Sequence, residues 1–271
     1  MSKPLPLPSH LTEIWASVSS AREISLFLDF DGTLTPITES PAEARLSRRM
    51  RRTLEALSAR DDVLLVLISG RALSDLRERT EITGIVYAGN HGLEISGRGV
   101  EFVEPFAETR SRFLLPLCED LEKSLRAVTG ASVERKRLTA SVHYRRAAAE
   151  QAPEIERIVR TSVARAASLF RIDAGKMVWE IVPRTHWHKG AAISWINSRL
   201  TGRETLSVIM GDDATDETGF QLAPEDITVH VGRPQGTSAK YYVGNTAGVH
   251  EFLTGLLTIR EEARARRGSG T

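Results

Sequence analysis

The sequence predicts an α/β fold in which helices cover both faces of a parallel β-sheet. Residues 24–29, 63–68 and 206–210 are almost wholly apolar and lack the alternation expected of a strand with one face in water. Strands of parallel sheets have this pattern because both of their faces are buried. Helical patterns separate these apolar runs, and such alternation is typical of βαβ units.

The elements of this core follow one another in a regular order. The strand at residues 24–29 is followed by a helix over residues 47–60, with Ser47 as its N-cap and Met50, Leu54 and Leu57 on its inner face. The strand at residues 63–68 comes next. After a long interruption the order resumes with a helix over residues 189–200, the strand at 206–210, a short helix, a strand at 227–231 and a helix from about residue 246.

The interruption has a pattern of its own. It begins after Pro105 and consists of a helix over residues 109–128, alternating segments at 132–137 and 139–144, a helix at 150–168 and strands near 170–173 and 177–182. This is an αββαββ unit whose neighbouring strands are close enough in sequence for antiparallel hairpins.

We therefore predict a discontinuous core domain, residues 11–107 and 187–265, interrupted by an inserted α+β domain, residues 108–186. Residues 1–10, which include three prolines, and the last few residues from Gly268 are predicted to be loose tails.

Composition excludes several classes of protein. The 271 residues include 36 Lys and Arg against 35 Asp and Glu, a formal net charge of +1, which does not indicate a nucleic-acid binder. Cys118 is the only cysteine, so neither an internal disulfide nor a cysteine-based metal site is expected. No apolar run approaches the roughly twenty residues of a membrane helix, and no signal peptide is recognisable, so cytoplasmic residence is the default expectation.

Two carboxylates stand two residues apart where the first strand ends, in Asp29-Phe30-Asp31-Gly32. On an extended backbone they share a face, and open α/β sheets bind ligands at the carboxyl ends of their strands. Two such charges need compensation, which indicates a hard, oxygen-liganded metal such as Mg²⁺. A strand followed by an ordinary Asp-Gly turn explains the same residues equally well, whereas the later positions of a calcium loop are missing.

Three further groups occur at comparable positions along the chain. Ser69-Gly70-Arg71 follows the strand at 63–68, Lys189 opens a helix, and residues 211–217, which hold four carboxylates, follow the strand at 206–210. Taken singly, Ser69 is explained by helix capping and Lys189 by solvation. Because all of them fall at one predicted sheet edge, they predict metal-assisted phosphoryl transfer.

With these motifs the chain resembles the haloacid dehalogenase-type phosphatases and, among them, the trehalose-6-phosphate phosphatases. The resemblance extends from about residue 24 to about residue 250 and is carried by residues 29–37, 68–71, 89–94, 143–145, 180–183, 189–190 and 211–217. It implies a Rossmann-like haloacid dehalogenase core, with the inserted domain as a C2-type cap that closes over the substrate.

The resemblance also implies catalytic roles. The residue that matches Asp29 attacks phosphorus to form an aspartyl-phosphate, and the one that matches Asp31 protonates the departing sugar oxygen and then activates water. The remaining implied roles are Mg²⁺ ligation by Asp29, the Asp31 backbone carbonyl and Asp212, phosphate binding by Ser69, Gly70 and Lys189, and positions beside the metal or its waters for Asp213 and Asp216.

Contacts with the sugar are implied for Glu134, Lys136, Arg145 and Glu180, although exposed strand residues would explain Glu134 and Lys136 as well. Asn90 and His91 are expected to orient the acid/base or touch the sugar, and a turn with a hydrogen-bonded histidine is the alternative. His143 is expected to be a packed or hydrogen-bonded strand residue. Val182 departs from the family, which commonly has arginine there, and Arg184 is a candidate substitute.

The resulting expectation is hydrolysis of trehalose 6-phosphate in trehalose biosynthesis by a monomeric, Mg²⁺-dependent cytoplasmic enzyme with a functional link to a trehalose-6-phosphate synthase. No nucleic-acid or membrane partner is expected. The alternatives are a capped phosphatase acting on sucrose phosphate or glucosylglycerol phosphate, and a noncatalytic sugar-phosphate sensor. A sensor would be expected to have lost the nucleophile or the metal carboxylates, and this chain retains both.

Overall fold

The computed structural model describes residues 3–202 and 204–268. The chain divides into two compact units, of which the first combines Met1–Glu101 with His188–Thr271 and the second is Phe102–Trp187. The predicted inserted domain, residues 108–186, falls within the second unit. None of the helices in the described residues is long and apolar enough to cross a membrane.

The strands and helices of the described residues are numbered in chain order. The strands are β1 (Leu5–Pro6), β2 (Glu23–Leu28), β3 (Val63–Ile68), β4 (Val86–Gly89), β5 (Glu94–Gly97), β6 (Val100–Val103), β7 (Ser132–Arg135), β8 (Ala140–His143), β9 (Phe170–Gly175), β10 (Val178–Pro183), β11 (Thr205–Gly211), β12 (Ile227–Val231) and β13 (Tyr241–Val243). The helices are α1 (Leu11–Ser20), α2 (Arg48–Ser58), α3 (Leu73–Thr80), α4 (Pro105–Ser111), α5 (Leu114–Leu125), α6 (Ala152–Ala164), α7 (Lys189–Leu200), α8 (Glu217–Leu222) and α9 (Thr246–Gly268).

The larger sheet has the order β1-β13-β12-β11-β2-β3-β4-β5-β6. Its strands from β1 to β4 in this order run parallel, and β5 is antiparallel to β4. All six residues of β3 are buried, as the uninterrupted apolar pattern predicts. The strands β11, β2, β3 and β4 are neighbours, so the segments that follow their carboxyl ends meet at one edge of the sheet.

Local sequence accounts for the ends of several helices. The Ser47 hydroxyl accepts a hydrogen bond from the Met50 amide at 3.1 Å and caps α2, as predicted. The helix predicted over residues 109–128 is wrong, since α4 and α5 are separate. Pro116 lies in the first turn of α5, where it lacks an N–H and its ring would clash with the carbonyl of Arg112 in a continuous helix.

The prediction of a loose amino-terminal tail is also wrong where the structure describes it. Leu5 and Pro6 pair with Tyr241 and Tyr242 of β13, and Leu7 is buried in the core. At the other end α9 continues to Gly268. Residues 1–2 and 269–271 of the predicted tails lie outside the described residues.

Arg260 joins α9 to the beginning of the sheet. Its guanidinium is buried and donates to the backbone carbonyls of Val18, Ala21 and Arg22 at 2.7–3.0 Å. It also donates to the Asp62 carboxylate at 2.6 and 3.0 Å. Burial acts to raise the pKa of Asp62, but hydrogen bonds from Arg60 and Arg260 outweigh it and hold that pKa below its ordinary value.

The second unit contains a four-stranded antiparallel sheet of order β7-β8-β10-β9. One face carries apolar side chains, among them Ala140, Val142 and Ile181, which pack with α5 and α6 in a core of this unit's own. Side chains alternate between faces along each strand. The opposite face therefore carries the intervening residues, which are mostly polar.

Candidate active site

A buried lysine and three buried carboxylates lie together where strands of the first unit's sheet end. Asp29 follows β2, Asp212 and Asp216 follow β11, and each offers an oxygen to a group whose atoms lie within 4.8 Å of one another. The Lys189 ammonium donates to Asp29 Oδ1 and to Asp216 Oδ1, both at 2.8 Å. All four residues are buried. The first turn of α7 thus places a cation between the ends of two neighbouring strands.

Burial dominates the electrostatics of this group. It disfavours the charged form of Asp29 and raises its pKa well above the ordinary value, against the attraction of Lys189. Burial likewise raises the pKa of Asp216 to about 6. For Lys189 burial acts to lower the pKa, but Asp216 and Asp29 outweigh it and the pKa lies well above its usual range.

These carboxylates fit a divalent metal. Three buried acidic groups repel one another, and one ammonium does not neutralise them all. Their donor atoms are all oxygens, which suits a hard cation such as Mg²⁺. The donor set is therefore compatible with the predicted cofactor.

Two glycines allow the loops around this group to approach closely. A Cβ atom on Gly32, whose φ is +83°, would lie 2.0 Å from Asp212 Oδ2. A Cβ atom on Gly211 would lie 2.1 Å from the Asp216 carboxyl carbon. The absence of a side chain at Gly32 therefore lets the loop after β2 contact the loop after β11, and the absence of one at Gly211 lets the loop after β11 fold back on the end of its own strand.

Backbone and side-chain donors order the loop after β11. The amides of Asp212 and Asp213 donate to Asp216 Oδ2 at 3.1 and 3.2 Å. Asp213 Oδ1 accepts from the Thr215 amide and hydroxyl at 2.8 and 2.7 Å. Burial acts to raise the pKa of Asp213, but Lys189 and Thr215 outweigh it and lower that pKa. Asp216 was expected beside the metal or its waters, and its own carboxylate oxygen belongs to the acidic group. Asp213 instead accepts hydrogen bonds from Thr215 within the loop.

Asp31 forms an ion pair with Arg71. Two hydrogen bonds of 2.6 and 2.7 Å join the guanidinium to the two carboxylate oxygens. Arg71 also donates to Asp75 at 2.7 Å and to the Pro41 carbonyl at 2.9 Å. Burial acts to lower the pKa of Arg71, but Asp31 and Asp75 outweigh it and raise that pKa. The Asp31 carboxylate is thus directed by a residue at the end of the neighbouring strand.

Ser69 and Gly70 lie against the turn after β4. The Ser69 hydroxyl accepts from the Arg71 amide at 3.2 Å, and its carbonyl accepts from the His91 amide at 2.8 Å. Asn90 and His91 both have left-handed backbone angles, with φ of 48° and 60°. Each costs about 1 kcal/mol for a residue with a side chain. A Cβ on Gly70 would lie 2.5 Å from the His91 ring, so Gly70 is required for this packing.

Within the second unit, three of the predicted sugar-contacting residues belong to one polar cluster. Glu180 accepts from the Ser141 hydroxyl at 2.9 Å and from the Lys136 ammonium at 3.4 Å. Glu134 Oε2 lies 2.7 Å from His143 Nε2, so His143 is hydrogen-bonded, as expected. Burial acts to raise the pKa of Glu134, but His143 and Lys136 outweigh it and lower that pKa.

The fourth predicted sugar contact, Arg145, has a different partner. Its guanidinium donates to the Lys176 carbonyl at 2.7 Å, at the turn between β9 and β10. Val182 is buried and lies opposite Arg171 in the pairing of β10 with β9. Arg184, the candidate substitute for an arginine at position 182, donates to the Ala167 carbonyl at 2.6 Å.

Comparison with known proteins assigns the family. A family model described as trehalose-phosphatase matches residues 27–242. The chain belongs to the trehalose-phosphatase family. The matched range includes every one of the predicted site residues.

One curated relative in the trehalose-phosphatase family is the trehalose-phosphate phosphatase of Mycobacterium tuberculosis. It is 33% identical over 255 residues, which cover 91% of this chain and 64% of that protein. The chain therefore spans slightly less than two thirds of the length of this relative.

Two solved structures show the fold. The C-terminal domain of C. albicans trehalose-6-phosphate phosphatase matches with a TM-score of 0.82 at 23% identity, over 95% of this chain and 98% of that one. A haloacid dehalogenase-like hydrolase from Bacteroides thetaiotaomicron matches with a TM-score of 0.61 at 16% identity, over 86% and 99% of the two chains. The predicted haloacid dehalogenase-like α/β fold is confirmed.

Sequence reasoning missed two residues of this trehalose-phosphatase family member. Arg71 follows Ser69-Gly70 at a strand end, which is a signal for an ion pair with some carboxylate, but its pairing with Asp31 depends on side-chain direction. Ser141 carries no sequence signal, because its contact with Glu180 depends on the register of β8 against β10.

Proposed function

We propose that this chain hydrolyses trehalose 6-phosphate to trehalose and phosphate through an aspartyl-phosphate on Asp29. The observation that carries the proposal is the buried group of Asp29, Lys189, Asp212 and Asp216 at one sheet edge, in a member of the trehalose-phosphatase family. A nucleophilic carboxylate, a cation for the phosphoryl oxygens and a set of metal-binding oxygens are the parts that phosphoryl transfer needs.

In the first step an oxygen of the Asp29 carboxylate attacks phosphorus, and the bond between phosphorus and the sugar oxygen breaks. Asp31 gives its proton to that oxygen, so the sugar leaves as a neutral alcohol. Lys189, together with Ser69 and the backbone at Gly70, holds the phosphoryl oxygens. The 2.8 Å contact between the Lys189 ammonium and Asp29 supports this role, because a cation beside the nucleophile also lies beside the phosphoryl group that the nucleophile attacks.

In the second step water attacks the phosphorus of the aspartyl-phosphate. The Asp31 carboxylate takes a proton from that water, the bond between phosphorus and Asp29 breaks, and phosphate leaves. Asp31 is then protonated and ready for the next sugar. Arg71 binds both oxygens of this carboxylate in its ionised state, so one of the two hydrogen bonds is given up while Asp31 carries the proton.

Mg²⁺ would be held by Asp29, the Asp31 backbone carbonyl and Asp212, with Asp216 supplying a further oxygen. When bound it supplies positive charge that keeps Asp29 ionised and offsets the charge developing on the phosphoryl oxygens. The positive charge of the metal would counteract the effect of burial, which raises the pKa of Asp29 when no metal is bound.

The second unit supplies the sugar contacts in this proposal. A disaccharide presents many hydroxyl donors and acceptors, and the carboxylates of Glu134 and Glu180 with the Lys136 ammonium match such groups. Arg145, Asn90 and His91 stay predictions as sugar contacts. The cytoplasmic location, the monomeric state and the link to a synthase stay predictions too.

Phosphate release from a panel of sugar phosphates tests the proposed activity. Trehalose 6-phosphate, sucrose phosphate and glucosylglycerol phosphate are compared with Mg²⁺ present, after EDTA treatment and after Mg²⁺ is restored. We expect the highest kcat/KM for trehalose 6-phosphate and no turnover without the metal. If the enzyme preferred another sugar phosphate, that compound would be assigned as the substrate in place of trehalose 6-phosphate. No turnover of any of the sugar phosphates would favour the noncatalytic sensor.

A further inference from the structure

The polar face of the second unit's sheet has a serine between two glutamates. Ser141 lies in β8, directly opposite Glu134 of β7 on one side and Glu180 of β10 on the other. In antiparallel sheets, directly opposed residues have their side chains on the same face. The row of Glu134, Ser141 and Glu180 therefore presents two carboxylates with one small hydroxyl side chain between them.

The Ser141 hydroxyl is bound symmetrically to the Glu180 carboxylate. Its Oγ atom lies 2.9 Å from both Oε1 and Oε2. Ser141 itself is completely buried, and the Glu180 side chain is 14% exposed. A hydroxyl at equal distances from both oxygens restricts rotation of the carboxylate, which otherwise turns about a flexible side chain.

The charges around Glu180 increase the importance of this contact. Asp173 lies directly opposite Glu180 on its other side, in β9, and like charges in this arrangement repel. Arg171 pairs with Asp173 at 3.0 Å, while Lys136 lies 3.4 Å from Glu180. The Lys136 contact is longer than the Ser141 contacts, so the serine is the nearer donor of the two.

We propose that Ser141 is a positioning residue for Glu180, holding its carboxylate in the orientation that accepts hydrogen bonds from the sugar hydroxyls of the substrate. This inference rests on the proposed function, because it takes Glu180 as a sugar contact. Ser141 does not touch the reacting atoms. It acts by fixing the acceptor directions of Glu180 before the sugar arrives, which lowers the entropy lost on binding.

The expected signature is a change in KM rather than in kcat. Contacts to a part of the sugar remote from phosphorus are alike in the ground state and the transition state, and their loss raises KM with little effect on kcat. Ser141→Ala removes one hydrogen bond to a charged acceptor, so we expect KM to rise about tenfold. Ser141→Cys preserves the side-chain shape but has only a weak donor, and we expect it to resemble Ser141→Ala.

A double-mutant cycle with Glu180→Gln, combined with a control variant, tests the proposal. If Ser141 acts through Glu180, Ser141→Ala raises KM much less in the Glu180→Gln background than in the wild type. Ser132→Ala makes the same substitution in β7 at an exposed position and should leave KM unchanged. Melting temperatures of all variants show which of them are folded.

The outcomes separate this inference from the proposed function. Wild-type turnover of the sugar-phosphate panel is measured first, and the Ser141 series is then measured on whichever sugar phosphate the wild type prefers. A preferred substrate other than trehalose 6-phosphate contradicts the proposed function alone. The role of Ser141 would be overturned if folded Ser141→Ala had an unchanged KM, or if Ser141→Cys behaved as the wild type does. It would also be overturned if the KM increases of Ser141→Ala and Glu180→Gln multiplied in the double variant, as they do for independent sites. If the wild type hydrolyses no sugar phosphate, both fail.

Discussion

Arg71 holds both carboxylate oxygens of Asp31, at 2.6 and 2.7 Å, in the geometry of a two-pronged ion pair. The guanidinium is itself fixed by Asp75 and by the Pro41 carbonyl, and Arg71 is only 8% exposed. Asp31 is less protected, with a side chain that is 39% exposed. The orientation of the proposed acid/base is therefore set by a rigid neighbour at the end of the next strand.

Arg71→Lys tests this relationship. Lysine preserves the charge but cannot form the two-pronged pair, so Asp31 loses its orientation. Because general acid catalysis contributes about 10²- to 10⁴-fold, we expect kcat on the preferred sugar phosphate to fall about tenfold or more. The fall should be smaller with p-nitrophenyl phosphate, whose leaving group needs less help from a proton.

Arg79→Lys is the matched control for this variant. Arg79 pairs with the same Asp75 at 2.8 Å and also binds backbone carbonyls, at Ala42 and Ala44. No contact joins it to Asp31 in the described residues. Equal losses of kcat on both substrates in Arg71→Lys, or equal losses in the two lysine variants, would contradict an effect through Asp31.

The buried carboxylates predict how activity depends on Mg²⁺. Asp212→Asn and Asp216→Asn each remove a charged oxygen donor, so the Mg²⁺ concentration giving half-maximal activity should rise. Burial raises the pKa of Asp216 to about 6, so protons compete with the metal for this carboxylate below pH 6. The Mg²⁺ concentration that gives half-maximal activity of the wild type should therefore also rise as the pH falls below 6. Titrations of activity with Mg²⁺ at several pH values measure both effects.

Glu225→Gln provides the control for charge removal, because Glu225 is exposed and lies outside the acidic group. It should leave the Mg²⁺ titration unaltered. Variants at Asp212 and Asp216 that titrate as the wild type does would exclude these side chains as metal donors.

Gly32→Ala should disrupt the contact between the two acidic loops. Its added Cβ would meet Asp212 Oδ2 at 2.0 Å, and its φ of +83° is unfavourable for alanine. Gly99 has nearly the same angle, +81°, but a Cβ there would meet nothing within 4 Å. Gly99→Ala therefore measures the backbone strain alone, about 1 kcal/mol of unfolding free energy.

Chemical denaturation and Mg²⁺-dependent activity distinguish the two alanine variants. We expect Gly32→Ala to lose more stability than Gly99→Ala and to lose most of its Mg²⁺-stimulated activity, while Gly99→Ala keeps that activity. Equal behaviour of the two would show that the distance to Asp212 does not matter.

The Asp62 carboxylate predicts part of the acid sensitivity of the fold. Its pKa is lower in the folded chain than in the unfolded one, so it contributes stability above the unfolded value near 3.8. That contribution is lost as the pH falls through the folded pKa. Asp62→Asn should lower the melting temperature at neutral pH and make its decline in acid less steep. Asp61→Asn, at the exposed neighbouring position, should preserve the wild-type profile.

Much of the core could be predicted because its apolar runs are unambiguous. The strands at residues 63–68 and 227–231 and the helix at 189–200 have the predicted bounds. The helix expected over residues 109–128 failed because its apolar period continues across the break that Pro116 imposes. The prediction of a loose amino-terminal tail failed because it gave weight to the three prolines, whereas Leu5 and Pro6 pair with β13 and Leu7 is buried in the core.

The candidate site, like the fold, could be predicted from the sequence only in part. Residues at strand ends, such as Asp29 and Asp212, could be brought together from the sequence because parallel strands end at one edge. Arg71 with Asp31 and Ser141 with Glu180 could not, because these pairs depend on side-chain direction and strand register. The position of Asp216 within the acidic group depends on the turn that Asp213 and Thr215 stabilise.

Rapid quenching of a reaction with ³²P-labelled trehalose 6-phosphate, followed by peptide mapping, tests the central claim most directly. We predict label on the peptide that carries Asp29 in the wild type, and neither label nor turnover in Asp29→Asn. Turnover by folded Asp29→Asn at the wild-type rate, or wild-type label on a peptide without Asp29, would contradict the aspartyl-phosphate mechanism.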